Sequence, residues 1–317
     1  MPRYGLPEVL TKALPEFLAA WDREIVEFEE IEEGYENLNI LITTDSEKVV
    51  LRWYSFRDPS DIPFELETIA RCREVGFPVA GVLPNKRGDL VKDLAGKPAA
   101  IFEFVEGRHP LLGATDRRQV GQWVAKYHAA LEGFRPQSSK KYDELSELDR
   151  AKRHQPEMLR LGYTDFVEDL GTLMNEYLPK LQETWPKLPQ GVVHGDFYPG
   201  NLLIHDDDLV ALLDFDTCFW GSLIRDIADA VLCWSRPHPA FLPDENAYSE
   251  VIEGYERVRP LTHEERDALP EALLLACFSD GVRYLAGRIE AGNPPPVARE
   301  CGMYCRYKEL ERELQKT

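Results

Sequence analysis

The sequence has few of the features that mark a membrane, secreted or nucleic-acid-binding protein. No segment is apolar for eighteen residues, and the first ten, MPRYGLPEVL, lack the apolar centre of a signal peptide. Positive charge is in the minority, since 37 lysines and arginines stand against 56 aspartates and glutamates, for a net charge of −19. That balance disfavours nucleic acid or an anionic membrane as a partner. We therefore expect a cytoplasmic protein that binds neither.

Cysteine is also sparse and lacks a metal-binding arrangement. The six cysteines are scattered through apolar surroundings. Cys301 and Cys305 lie one helical turn apart, with no second pair elsewhere that would complete a zinc site. The sequence therefore predicts reduced, mostly buried thiols and no structural zinc.

The hydrophobic pattern divides the chain into a β-rich first third and a helical remainder. Strands follow one another without alternating helices, which argues against a doubly wound sheet and predicts an α+β fold of two lobes, residues 1–104 and 105–317. In the first lobe the pattern predicts helices at 7–21 and 62–75 and strands at 25–31, 38–43, 48–54, 79–83, 89–94 and 99–104. In the second it predicts helices at 115–131 (capped by Thr115), 165–185, 222–235, 246–258, 263–279, 280–291 and 297–315, with a short helix within 133–163.

The most informative stretch, residues 192–216, reads VVHGDFYPGNLLIHDDDLVALLDFD. It predicts a short apolar run, a polar loop and a hairpin that turns at residues 206–208. Asp196 is followed five residues later by Asn201, and the second hairpin strand leads to Asp214. Two carboxylates and a carboxamide held at these offsets make sense if they converge on a metal-bound phosphate. The alternative interpretation is a surface hairpin with incidental acids.

This spacing, H-x-D-x-x-x-x-N followed by D-F-x, resembles the catalytic core of protein kinases, and most closely the aminoglycoside phosphotransferase and choline kinase superfamily. The resemblance implies a bilobal protein-kinase-like fold that uses ATP and Mg²⁺ to phosphorylate a small-molecule hydroxyl acceptor. Asp196 would then accept or orient the hydroxyl, His194 would brace the loop, and Asn201 and Asp214 would bind Mg²⁺. Asp216 would be an outer-shell ligand or face the substrate.

The first lobe offers matching nucleotide-binding residues. The turn at residues 32–37 carries Gly34 and Asn37, which the resemblance places over the phosphates. Arg52 on the third strand occupies the position where many relatives have Lys, and it needs a carboxylate on the next helix. Glu65 lies on the inward stripe of that helix, whereas Glu67 lies on a charged stripe with Arg71 and Glu74 that favours solvent, so we choose Glu65.

Three further assignments concern the adenine edge, the loop support and the acceptor. Around Glu103 and Val105, backbone groups would bind the adenine edge. Asp226 resembles the acid that ties a helix back to the catalytic loop, with a solvated helix charge as the alternative, and His128 is expected to be structural. We expect the acceptor to lie near Trp220, Asp226, Asp229 and Trp234.

The first lobe resembles the bacterial homoserine kinases of this fold most closely. The similarity rests on residues 36–39, 51–54, 62–66, 76–79 and 94–100. It implies an amino alcohol, a homoserine-like amino acid or an aminoglycoside-type molecule as the acceptor. Two alternatives stay open: a stress-response protein Ser/Thr kinase of the same fold, or a nucleotide-binding pseudokinase that acts as an interaction module.

Overall fold

The computed structural model describes residues 6–31, 37–55, 58–143, 145–235 and 245–315. The helices in chain order are α1 Glu8–Ala19, α2 Ile62–Glu74, α3 Arg117–Ala130, α4 Ser146–Arg160, α5 Thr164–Thr172, α6 Leu178–Thr184, α7 Ile224–Cys233, α8 Glu245–Glu256, α9 His263–Glu290 and α10 Gly302–Leu314. The strands are β1 Ile25–Ile31, β2 Leu38–Thr44, β3 Lys48–Trp53, β4 Val82–Leu83, β5 Val91–Leu94, β6 Lys97–Glu103, β7 Gln190–Val193, β8 Leu202–His205, β9 Asp208–Leu212 and β10 Phe219–Ser222.

Contacts divide the chain into two compact units. The first comprises Met1–His109, Pro136–Lys141 and Gly200–Asp216, and the second comprises Pro110–Arg135, Tyr142–Pro199 and Thr217–Thr317. The hairpin of β8 and β9, which the sequence analysis assigned to the second lobe, is grouped by its contacts with the first unit. The division into functional lobes at residue 104 stays a prediction.

The first unit is built on an antiparallel sheet with strand order β1-β2-β3-β6-β4, and β5 pairs with β6. Alternate residues of β2 are buried, as a half-buried strand requires. Helix α1 supplies one apolar face to the core because its buried residues recur at helical spacing. The core of this unit contains Leu10, Leu14, Phe17, Leu18, Trp21, Leu38, Ile40, Ile42, Val49, Leu51, Leu94, Ala99 and Ile101.

The second unit is mainly helical, and three of its predicted details were wrong. Asp116, not Thr115, caps α3, because the Asp116 side chain accepts the Arg118 N–H. Residues 146–160 form a full helix of 15 residues, α4, rather than a short one. The predicted break between residues 279 and 280 is absent: α9 runs through 28 residues. Gly281 does not end this helix; a Cβ there would lie 3.5 Å from Tyr304, an ordinary contact distance, so the position faces α10 without a steric need for glycine.

The hairpin that carries the predicted metal ligands is confirmed. Strands β8 and β9 pair antiparallel, with Leu202 opposite Leu212. Asp206 and Asp207 turn the chain with φ values of 47° and 67°, a left-handed conformation that Asp tolerates better than most residues. A second antiparallel pair, β7 with β10, lies in the second unit and leads into the loop of Asp196.

Two absences expected from the sequence can be examined over the described ranges. No helix there is long and apolar enough to cross a bilayer. All six cysteines are free thiols, four of them buried.

Candidate active site

The loop that presents Asp196 begins where β7 ends, and its backbone is fixed by a buried carboxylate. Asp226, on α7, accepts the His194 N–H at 2.9 Å through Oδ2 and the Gly195 N–H at 2.7 Å through Oδ1. Thr217 Oγ1 donates to the His194 carbonyl at 2.9 Å. Gly195 has φ +75°, and a Cβ there would lie 3.1 Å from the Thr217 carbonyl, so glycine fits both the turn and the space.

Asp226 is itself held by a histidine, and the resemblance-based prediction for it is confirmed. It is completely buried, and His128 Nε2 lies 3.0 Å from its Oδ2. The other ring nitrogen of His128 is 2.8 Å from the Tyr255 hydroxyl. Burial opposes ionisation of Asp226, but the hydrogen bond and charge of His128, with the Gly195 N–H, outweigh it and lower the pKa of this carboxyl. His128 is structural, as expected, and through Asp226 it supports the loop of Asp196.

His194 is buried and its ring packs edge-on against Tyr127 and Phe197. This placement fits a bracing role rather than a general base. The Asp196 side chain is 29% exposed, and Arg283 Nη1 lies 3.9 Å from its Oδ2. Sequence reasoning missed Arg283 because it lies far along the chain, within an amphipathic helix where an arginine draws no attention.

The acceptor-lining prediction needs a correction. Asp226, Asp229 and Trp234 are at most 2% exposed, so they do not line an open surface. Arg225 Nε contacts both carboxylate oxygens of Asp229 at 3.1 and 3.2 Å, and Trp234 Nε1 donates to the Phe197 carbonyl at 2.8 Å. Asp226 and Trp234 hold the loop through hydrogen bonds, whereas Asp229 is paired with Arg225 within α7, because polar groups are buried only when they find partners.

Within the first unit, the predicted metal ligands lie on one hairpin. The Leu213 N–H donates to the Asn201 carbonyl at 2.8 Å, which ties the two ends of the hairpin together just before Asp214. Asp214 has φ +59°, a left-handed conformation that non-glycine residues seldom adopt. Such backbone geometry recurs at functional sites, where the surrounding structure holds it in place.

Arg52 joins three carboxylates of the first unit. Its Nη2 lies 2.9 Å from Asp214 Oδ1, and its Nη1 lies 3.2 Å from Asp216 Oδ1 and 3.4 Å from Glu65 Oε1. The choice of Glu65 as the helix carboxylate agrees with this geometry, since Glu65 is 2% exposed whereas Glu67 binds the backbone of residues 137 and 138. Burial opposes the charge of Arg52, yet the three carboxylates outweigh it and raise its pKa well above the usual value.

The same network uses Asn37 and Asp216. The Asn37 amide donates to Asp216 and accepts the Ser55 N–H at 3.0 Å. Asp216 is 4% exposed, and its carbonyl accepts Lys140 Nζ at 2.6 Å. Asp216 therefore orients Arg52 rather than facing solvent, and the side chain of Asn37 is engaged within the protein. Gly34 lies outside the described residues.

The predicted adenine-binding segment follows β6. The Glu103 N–H donates to the Gly81 carbonyl at 2.8 Å, and its carboxylate lies 2.5 Å from Arg73 Nη1. A purine contact at Glu103 would therefore use its carbonyl oxygen. Val105 is half-buried just beyond the strand. Its role in binding the purine stays a prediction.

Asn201 and Asp214 supply the donor types that Mg²⁺ prefers. A carboxamide and a carboxylate are hard oxygen ligands, and Mg²⁺ commonly binds one or two carboxylates together with substrate phosphates. Over the described residues there is no cluster of three or more His, Cys, Asp or Glu side chains that could hold a metal by itself. The residues present fit a metal that arrives with the nucleotide.

Comparison with known proteins adds independent findings. Residues 27–261 match the model of the phosphotransferase enzyme family. A homoserine kinase of Rhizobium etli is 34% identical over 269 residues, covering 80% of this chain and 78% of the relative. A homoserine kinase of a Caulobacter species is 30% identical over 275 residues, covering 83% and 82%.

Two solved structures share the fold. An amicoumacin kinase aligns with a TM-score of 0.72 at 18% identity, covering 96% of this chain and 93% of the other. A microcompartment-associated aminopropanol kinase aligns with a TM-score of 0.69 at 19% identity, covering 96% and 98%. These similarities confirm the predicted α+β, protein-kinase-like fold.

Proposed function

Because this chain belongs to the phosphotransferase enzyme family, we propose that it is an ATP- and Mg²⁺-dependent kinase that phosphorylates a hydroxyl group of a small molecule. In this proposal residues 1–104 cover the nucleotide. Residues 105–317 carry the catalytic loop, the metal ligands and the acceptor site.

One observation carries the proposal: a buried arginine that contacts both a helix carboxylate and a predicted metal ligand. Arg52, Glu65 and Asp214 are far apart in the sequence, and each was singled out for a separate role in phosphate chemistry. Their direct contacts at 2.9 and 3.4 Å are the arrangement that a kinase needs to orient its phosphate-binding cation.

In this reaction the protein forms no covalent bond to the phosphoryl group, which passes directly from ATP to the acceptor. The acceptor oxygen forms a bond to the γ-phosphorus, the bond from that phosphorus to the β-phosphate oxygen breaks, and ADP leaves. The hydroxyl proton passes to Asp196, which the loop bound by Asp226 holds in position. Asn201 and Asp214 would hold Mg²⁺, which neutralises phosphate charge when it is bound. Arg52 stays charged throughout, so it can contact phosphate oxygens as well as Asp214.

The acceptor we favour is an amino alcohol or a homoserine-like amino acid, ahead of an aminoglycoside. The support comes from the relatives that are named homoserine kinases and cover about four-fifths of this chain. Neither a protein kinase nor a pseudokinase gains support from those relatives. The presence of Asp196, Asn201 and Asp214 in one chain also argues against a pseudokinase.

The test is ATP consumption in the presence of Mg²⁺ with amino alcohols, hydroxy amino acids and aminoglycosides as acceptors. We expect Asp196→Asn to lower kcat by at least about 100-fold with little change in nucleotide affinity, since an amide cannot take the proton. Asp206→Asn is the matched control, because this exposed turn residue lies outside the proposed machinery. Turnover of Asp196→Asn within a few-fold of wild type, or ATP binding with no acceptor phosphorylated by the wild type, would contradict the proposal.

A further inference from the structure

Arg283, on α9, lies within ion-pair range of Asp196 in the second unit. Three carboxylates surround its guanidinium: Asp280 Oδ1 at 3.7 Å from Nη2, Asp196 Oδ2 at 3.9 Å from Nη1 and Glu147 Oε1 at 4.0 Å from Nε. All three distances exceed the length of a hydrogen bond. The guanidinium is therefore attracted to these acids without being bonded to any of them.

The donors of Arg283 are unused in the described part of the chain. Its Nε is buried there with no acceptor in hydrogen-bond range, although a guanidinium offers five donors. Burial opposes the charge, but Tyr142 and the surrounding acids raise the pKa of Arg283 well above its usual value, so the group stays cationic. A buried charged donor without a partner is costly. The Arg283 side chain as a whole is 20% exposed, so an anionic group of a ligand can reach the guanidinium and supply a hydrogen-bond acceptor.

Asp280 lies one helical turn before Arg283 and complements it. Its side chain is 20% exposed, as is that of Arg283. The two side chains thus present a carboxylate and a guanidinium side by side, next to the residue proposed to take the acceptor proton. A zwitterion with a hydroxyl at its far end matches these three groups: its carboxylate suits Arg283, its ammonium suits Asp280 and its hydroxyl suits Asp196.

We propose that Arg283 binds a carboxylate of the acceptor, that Asp280 binds its ammonium group and that the hydroxyl reaches Asp196. The inference rests on the proposed function and narrows its acceptor to a short hydroxy amino acid. Arg283 is then a specificity-determining residue. It gains nothing from an amino alcohol that has no carboxylate.

The distances limit the size of this acceptor. Hydrogen bonds of about 2.8 Å at each end, added to the 3.9 Å between Arg283 Nη1 and Asp196 Oδ2, allow at most about 9.5 Å between the hydroxyl and carboxylate oxygens. An amino acid with a two- to four-carbon chain spans less than this. Guanidinium binds carboxylate with two parallel hydrogen bonds, so the same contact also fixes the orientation of the substrate.

The experiment compares three acceptors that differ by one charged group each. L-homoserine carries both groups, 3-aminopropan-1-ol lacks the carboxylate and 4-hydroxybutyrate lacks the ammonium. We expect Arg283→Gln to lower kcat/KM roughly 10- to 100-fold for homoserine and 4-hydroxybutyrate, and to change 3-aminopropan-1-ol by less than about 3-fold. Asp280→Asn should lower kcat/KM for the two acceptors that carry an ammonium group, homoserine and 3-aminopropan-1-ol, and leave the value for 4-hydroxybutyrate unchanged.

Controls separate recognition from folding and from catalysis. Arg266→Gln, an exposed substitution on the same helix, should leave all three values unchanged. If Arg283→Gln does not fold, Arg283→Lys provides the test, because it keeps the charge without the paired donors. Its kcat/KM should fall several-fold for homoserine and 4-hydroxybutyrate, which carry a carboxylate, and stay unchanged for 3-aminopropan-1-ol. Equal losses on all three acceptors would overturn the inference, because Arg283 would then act by positioning Asp196.

The wild type provides a separate check on the proposed function. A preference for 3-aminopropan-1-ol over homoserine would overturn the inference and leave the kinase activity standing. The same holds if another acceptor is phosphorylated and none of these three is. If Mg·ATP is neither bound nor consumed with any acceptor, the proposed function itself has failed.

Discussion

The two units of this protein each bury a charged network, and the two networks are built in opposite ways. In the first unit three carboxylates share one guanidinium, that of Arg52. In the second unit one carboxylate, Asp226, is surrounded by donors from His128, His194 and Gly195. The first network has acids in excess, and the second has every carboxylate oxygen matched to a donor.

The difference separates a network suited to bind something from one suited to hold a shape. An excess of carboxylates next to strained Asp214 favours the arrival of a further cation, as a metal site requires. A carboxylate saturated with N–H donors has nothing left to bind and instead fixes the backbone before Asp196. Substitutions in the first network should therefore change the binding of metal and nucleotide. Substitutions in the second should change the free energy of unfolding.

The largest expected effect is on stability, from Asp226→Asn. The amide keeps one acceptor oxygen but turns an NH₂ group toward a backbone N–H, so a buried donor loses its partner. We expect a loss on the order of 3 kcal/mol in the free energy of unfolding, and a fall in kcat because the loop of Asp196 loosens. Urea unfolding measures the first, and the control Asp165→Asn, an exposed pair with Arg299, should cost less than about 1 kcal/mol. A loss as small as that of the control would remove the structural role of Asp226.

Asp214→Asn should show the opposite pattern. We expect Mg²⁺-dependent binding of ADP, measured by calorimetry, to weaken roughly 10- to 100-fold because a charged oxygen ligand is lost. Stability without nucleotide should change by less than about 1 kcal/mol, since Arg52 keeps Glu65 and Asp216. Asp206→Asn on the same hairpin is the control. Unchanged ADP affinity at saturating Mg²⁺ would break the contrast between the two networks.

Arg52→Lys tests whether the guanidinium geometry matters. Arginine reaches Asp214 and Asp216 through different nitrogens and Asn39 through Nε at 3.2 Å, which one ammonium cannot reproduce. We expect a loss of about 1–2 kcal/mol in stability and a several-fold rise in KM for ATP. Arg108→Lys, an exposed substitution, should leave both unchanged. A lysine variant as stable as wild type would mean that charge alone, and not the branched contact, holds the three acids.

Local pattern predicted much of the first unit correctly. Strands β2 and β3 and helix α2 begin and end within a residue of their predicted bounds, because alternation and helical spacing are strong there. The choice of Glu65 over Glu67 followed from helical spacing in the same way. The second unit was harder, since the local pattern did not show that α9 continues without a break from His263 to Glu290.

Long-range partners were the part of the site that local pattern could not supply. The spacing from Asp196 to Asp214 identifies the reaction, but nothing near Asp216 in the sequence indicates that it holds Arg52. Likewise Arg283 comes to Asp196 only through the packing of a distant helix. Residues expected to line the acceptor, such as Trp234, proved to be buried supports, because an aromatic with a polar group suits a core as well as a surface.

The smallest expected effect is the pH dependence of the Asp226 network. The pKa of Asp226 is lowered in the folded protein, so folding favours its ionised form. Its stabilisation is therefore present above the ordinary aspartate pKa of about 3.9 and is lost as the pH falls through the lower folded value. The stability difference between wild type and Asp226→Asn should stay constant from pH 7 to about 5 and shrink below about 4 in urea unfolding at each pH. If this stability difference widened as the pH fell, the native state would favour protonated Asp226. The network would then not be built on an ionised carboxylate that accepts hydrogen bonds from N–H donors.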